Sequence, residues 1–333
     1  MAGPASTAGA HGAGHLEAGD VTSLANLCHD CRACFYACMY APPHEFGVNP
    51  PEILSRVRAA TYESYAPPPP RPAWLRGRGA AVTAAAAVGA ALVALVALTE
   101  GIDALFRHNG PYRLISYPAL LVAALLLTAW SVAVMLRAAA RYWRDTHGPL
   151  RDLADWRAWA KALACAGRLA YLRGGGADCY YPGADPSPAR RRLHATVFYG
   201  FAACFAATVA AAFLQDILGV DPPYPLLSVP VILGTAGGLA MIVGCAGLIA
   251  AGRRSDPAPG AADYGLLAGL GLLAATGLLT LALRATPAYG LVLIAHLATI
   301  MVCFCLAPYT RFAHAVYRLL AIVADNVEAA RAR

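Results

Sequence analysis

Six stretches of roughly twenty apolar residues constrain this chain more than any other feature. They run Ala80–Leu98, Leu114–Leu136, His194–Leu214, Leu226–Ala251, Tyr264–Leu283 and Tyr289–Pro308. At 1.5 Å per residue each can cross a hydrocarbon core of ~30 Å as a helix. No alternation of period two competes with that reading. Composition agrees, because a chain that is 59% hydrophobic and only 14% charged is not that of a soluble enzyme. The sequence therefore predicts an all-α membrane protein built on a six-helix transmembrane bundle, with the lipid bilayer as its first partner. Its net charge of +7 reads as a topology signal and not as a nucleic-acid footprint.

Residues 1–20 are rich in Ala, Gly and His, lack the apolar core of a signal peptide and are expected to be disordered. A small module is expected over 21–65, followed by a Pro-rich linker over 66–79 that reads as a stiff spacer. The transmembrane domain then occupies 80–318, with a long loop at 137–193 and a tail at 319–333. Arginine sets the expected orientation. The 137–193 loop holds Arg137, Arg141, Arg144 and the triplet Arg190-Arg191-Arg192, and the loop after the fourth span holds Arg253-Arg254. The opposite loop at 218–226 has no basic residue. Positive charge gathers on the cytoplasmic side, so both termini are expected to face the cytoplasm of a bacterial inner membrane.

The chemistry enters through Cys28, Cys31, Cys34 and Cys38, spaced C-x2-C-x2-C-x3-C. That run wraps a [4Fe–4S] cluster in bacterial-type ferredoxins, where three thiolates on a tight turn reach three irons of one cube. The 21–65 segment is therefore expected to be a small ferredoxin-like [4Fe–4S] module. Zinc sites more often use two separated C-x2-C knuckles, and a zinc scaffold or a disulfide is the other use open to these cysteines. In two-cluster ferredoxins the fourth cysteine of the run serves the other cluster. Cys38 then lacks its own cluster here, which predicts a second run in sequence preceding Met1. Cys204, Cys245, Cys303 and Cys305 lie in apolar stretches and read as buried hydrophobes, while Cys165 and Cys179 read as isolated loop residues.

Of nine histidines, His194 opens the third span, while His296 and His314 fall on what reads as one last helix continuing to about Val316. Ionisable groups at membrane depth default to function, against the plainer reading of a contact to a neighbouring helix. His296 and His314 are 18 residues apart, five helical turns, so they are expected on one face about 27 Å apart. Topology sets His194 opposite His314, a pair able to clamp a haem b. His296 is expected to face Gln215, with His108 of the first loop as a substitute ligand.

The stretches LANLCHDCRACFYACMYAPPHEFGVNPP, YLRGGGADCYYP, RRRLHATVFYGF and RFAHAVYR resemble the tricarballylate-utilisation protein B family, also called the citrate-utilisation B family. The resemblance covers nearly the whole chain from about Asp20. It implies a membrane iron–sulfur and haem b protein that reoxidises the FAD of a tricarballylate dehydrogenase and delivers electrons to quinone. It also implies His194 and His314 as haem ligands. The family carries two cysteine runs and a histidine near the far end of the third span, where this chain has one run and Gln215. One haem is therefore expected. Another dehydrogenase, for citrate, another polycarboxylate or a heterodisulfide, is the alternative partner. No catalytic triad, P-loop or dinucleotide fingerprint is present, and Gly174-Gly175-Gly176 lacks the strand–helix context of a phosphate cradle.

Overall fold

The computed structural model describes residues 17–66, 80–106, 110–255 and 261–331. Most of the expected disordered N-terminus, the proline linker and His108 lie outside the described residues. Three helices precede the first span: α1 (Ala18–Leu27), α2 (Ala33–Tyr36) and α3 (Pro50–Tyr65). Asn49 starts α3 by accepting the Glu52 N–H through its side chain at 3.2 Å. Pro50 and Pro51 occupy the first turn, where a missing N–H costs nothing.

Six helices follow that are long and apolar enough to cross a membrane. They are α4 (Ala80–Thr99), α5 (Tyr117–Thr146), α7 (Ala189–Asp216), α8 (Val229–Arg253), α9 (Ala261–Ala282) and α10 (Tyr289–Leu306), with α6 (Trp156–Gly167) between α5 and α7. The chain is a multi-pass membrane protein. Phe205, Val209 and Phe213 of α7 project outward, as expected of side chains that meet lipid and not a core.

Small residues set the closest helix contact, between α7 and α8. A Cβ added at Gly237 would stand 2.6 Å from the Gly200 carbonyl oxygen, and one at Gly200 would stand 2.9 Å from the Gly237 carbonyl oxygen. The two backbones touch there, so no larger residue fits.

At 30 residues, α5 is about 45 Å long, some 15 Å more than a hydrocarbon core. Its last turns rise out of the bundle and carry a head. Tyr142 and Trp143 pack there with Tyr62 of α3, Ala158 and Ala162 of α6, and Tyr317. Tyr317 belongs to the last helix, α11 (His314–Arg331). The segment expected as a tail is thus mostly helix and largely core: Leu320, Val323, Ala324 and Val327 are buried at helical spacing. The loop at 137–193 likewise has structure of its own, with α6 capped by Asp155 and a two-residue antiparallel ladder of β1 (Cys179–Tyr180) and β2 (Pro186–Ser187).

The expected continuous last helix is interrupted. α10 stops at Leu306, two short 3₁₀ turns follow over 307–313, and α11 begins at His314. Pro308 is the cause, since it has no N–H to donate and its ring obstructs an α-helical turn. Thr310 then accepts the Phe312 N–H and starts the new direction.

Gly237→Val should force α7 and α8 apart and lower stability by about 1–3 kcal/mol, read as a reduced unfolding midpoint in detergent. His147 gives a second test in the head. Its Nε2 lies 3.3 Å from the Ser23 hydroxyl of α1. Burial pushes its pKa from 6.5 down to about 4, against a smaller opposing pull from Asp20. The unfolded chain takes up this proton near pH 6.5 and the folded head only near 4, so stability falls as pH drops through that window. The expected loss is at most about 3 kcal/mol, and His147→Gln should flatten the profile.

Candidate functional site

The cysteine run is shaped by residues that leave helical geometry. Asp30 and Arg32 both hold positive φ, 55° and 64°, so the chain between α1 and α2 folds into a tight knot. Within it Cys28, Cys31 and Cys34 are neighbours. The Cys34 thiol is pushed up in pKa by burial and then by the nearby Cys28 and Cys31. The Asp30 N–H points at the Cys28 sulfur at 3.4 Å. Cys38 lies beyond the end of α2.

Among the described residues, no three His, Cys, Asp or Glu side chains converge closely enough to hold a single metal ion. The three thiols follow the spacing that wraps a four-iron cube, and an N–H aimed at sulfur is a contact that tunes such a cluster. The donors fit an iron–sulfur group.

A knot of this shape leaves carbonyls that no helix can use, and two arginines satisfy them. Arg58 of α3 donates to the Ala25 carbonyl at 3.1 Å and to the Cys28 carbonyl at 3.3 Å. Arg190, in the first turn of α7, donates to the His29 and Asp30 carbonyls, each at 2.5 Å. Its other nitrogen lies 3.6 Å from the Asp30 carboxylate. Tyr181 lies beneath both Arg32 and Arg190, with each guanidinium over its ring. The module is thus bound directly to the start of a transmembrane helix.

Between the knot and the bundle lies a cavity of about 600 Å³. His194 and His314 line it together. The His314 Nδ1–H donates to the Arg311 carbonyl at 2.5 Å, which leaves Nε2 with a free lone pair. Burial, and then Arg318, lower the His314 pKa to about 4, so the ring is neutral at physiological pH. The Nδ1 of His194 is buried without a hydrogen-bond partner. Two imidazoles thus face one cavity.

The walls are strongly basic. Among the described residues they carry six arginines against two carboxylates, and one of those carboxylates, Glu52, already binds Arg56 at 2.5 Å. Buried Arg32 has Nε and Nη1 without hydrogen-bond partners, and so does the Nε of Arg318. Burial, and then the nearby Arg58, push the Arg318 pKa down to about 10. Arg32 has the Asp30 carboxylate 3.7 Å from its Nε, but buried guanidinium short of hydrogen bonds is costly, so this space favours an anion-bearing ligand.

His296 is elsewhere. It sits against α9, its Nδ1 3.0 Å from the Thr276 hydroxyl and its ring beside Gly277. The break at Pro308 removes the shared face expected for His296 and His314. The Gln215 side chain accepts a hydrogen bond from the Tyr112 hydroxyl.

The sequence reading missed Cys179 and the arginines. Cys179 is buried, and its backbone neighbour Tyr180 donates to the Cys31 carbonyl at 2.9 Å. The arginines had a signal in the sequence. Arg190 stands four residues before His194, and Arg318 four after His314, so each histidine shares a helix face with an arginine.

A cysteine-rich iron–sulfur module clamped onto a six-span bundle, with a basic two-histidine cavity between them, defines a class of membrane-bound redox protein. The family model for citrate utilization protein B matches residues 74–333, and that for the citrate utilization protein B Fer4-like domain matches residues 4–64. The chain belongs to the citrate utilization protein B family. It is 38% identical to citrate utilization protein B of Escherichia coli over 327 residues, covering 94% of this chain and 84% of the relative. No solved structure matches it.

Arg190→Gln should release the knot from α7. Hydrogen exchange over residues 28–38 should rise by an order of magnitude or more, which corresponds to about 1.4 kcal/mol or above, while exchange in α8 stays unchanged.

Proposed function

We propose that this chain is the membrane electron-transfer subunit of a citrate-utilisation-type system, reoxidising the FAD of a partner tricarballylate dehydrogenase and reducing quinone. Cys28, Cys31 and Cys34 would hold a [4Fe–4S] cluster, and His194 and His314 would hold haem b. Those two groups supply one-electron carriage between a two-electron flavin and a two-electron quinone. The observation that carries the reading is the cavity itself, which joins the cysteine knot to the histidine pair through Arg190 and, one turn later on the same helix, His194.

The residues of the chain do the rest. Arg58 and Arg190 hold the carbonyls of the knot, and so fix where its thiols point. The Arg311 carbonyl holds His314 in the tautomer whose Nε2 can bind iron. Arg318, whose Nε is short of a partner, would supply a donor for a carboxylate of a porphyrin. His29, stacked on Tyr171 and held by burial and Arg318 in its neutral form, keeps a further positive charge out of the junction. The arginine distribution supports an inner-membrane orientation with the head in the cytoplasm, where thiols stay reduced and a soluble flavoprotein can reach it.

Two substitutions test this. Cys31→Ala should abolish the broad sulfur-to-iron absorption and the reduced-state EPR signal, and flavoprotein-linked quinone reduction should fall to background. A pyridine haemochrome assay should give one haem per chain in the wild type and in Cys31→Ala, none in His314→Ala, and most of it in His296→Ala. Zinc in the purified protein, or equal haem loss from both histidine variants, would refute the reading.

A further inference from the structure

Three thiols of the run leave a four-iron cube one ligand short, and in this kind of site the fourth comes from elsewhere in the fold. The loop carrying Gly174 to Ser187 lies against the run from about 140 residues away. Tyr180 donates its N–H to the Cys31 carbonyl at 2.9 Å, and its ring stacks on Tyr36 with centroids 5.3 Å apart. Gly174 is wedged between the two cysteines. A Cβ there would stand 3.4 Å from the Cys31 Cβ, and 3.6 Å and 3.8 Å from the Cys179 N and Cα. Gly174 also holds φ +54°, a conformation that glycine adopts without strain.

Resting on the iron–sulfur reading above, we infer that Cys179, and not Cys38, is the fourth cysteine ligand of the cluster held by Cys28, Cys31 and Cys34. Four observations of the chain support it. Cys179 is 1% exposed, so its side chain lies inside the head and not at the surface. Its strand is fixed by the β1–β2 ladder, pairing Cys179 with Ser187. Its thiol donates to the Leu172 carbonyl at 3.3 Å and its sulfur accepts from the Arg190 guanidinium, a donor contact that suits a ligand thiolate. Arg32, in the run itself, is 3% exposed, and its Nε and Nη1 have no hydrogen-bond partner. A cluster with four thiolates carries net negative charge and would supply acceptors for those two nitrogens of Arg32. Cys38, half-buried like Cys28 and Cys31, lies beyond the end of α2.

The test uses the full-length protein purified anaerobically, with iron and acid-labile sulfide measured per chain, EPR, and thermal unfolding of chelator-treated, iron-free samples. Wild type should contain about four irons. Cys179→Ala should fall to about three, with a three-iron EPR signal in the oxidised state. Cys179→Ser, which keeps an oxygen ligand, should hold about four with displaced g-values. Cys38→Ala should match wild type. The iron-free forms of both Cys179 variants should unfold at the wild-type midpoint, placing the effect on the cluster and not on packing. A wild-type spectrum in Cys179→Ala overturns the inference. A lowered midpoint in the iron-free Cys179 variants, or a three-iron signal from Cys38→Ala with none from Cys179→Ala, does the same. A wild type without iron would instead refute the iron–sulfur reading.

Discussion

The cysteine knot is tied to the transmembrane helix α7 through the guanidinium of Arg190. It satisfies two backbone carbonyls of the cysteine knot, faces the Asp30 carboxylate and covers the ring of Tyr181. These bonds are made where water is scarce, so each would leave an uncompensated polar group if lost. Arg58 does the same from the other side of the knot. Between them, a segment too short and too irregular to fold alone acquires a fixed shape and a fixed place above the bundle.

The cavity beneath the knot depends on a second constraint, the proline at 308. A helix running straight on from α10 would have carried His314 further along one axis. The interruption lets α11 turn into the head and bring His314 to the same space as His194. α11 then completes the head core through Tyr317, which stacks on Tyr62 with centroids 5.4 Å apart. Phe312, within the interruption, packs on Phe201 of α7. One break thus provides both a histidine position and a packing surface.

The membrane architecture was legible because apolar length is a local property, and the six spans fall close to their expected ends except that α5 runs ten residues past Leu136 to Thr146. Cys28, Cys31 and Cys34 were legible for the same reason, since a short run fixes their proximity. His194 and His314 also came together as expected, though by a different route. Pro308 marked the end of α10 plainly, yet helical periodicity beyond it invited a continuous reading. Cys179 stayed hidden because its meeting with Cys31 depends on a loop closing over 148 residues, which no local pattern encodes. The arginines were counted as topology signals. Charge near a span has that meaning by default, and only the fold shows which guanidinium groups turn inward.

The head gathers pieces from the whole length of the chain. Its knot comes from the first forty residues, its loop from around Gly174 and its last wall from Tyr317 and its neighbours. A ribosome adding 5–20 residues per second needs roughly 15–60 seconds to go from Cys28 to Tyr317. For more than half of that interval the run lacks Arg190 and the Gly174 loop, while six spans must enter the bilayer in order. Assembly of this head is therefore a late event in biogenesis: iron delivered during translation meets an unshaped peptide, and iron delivered after insertion meets a finished site.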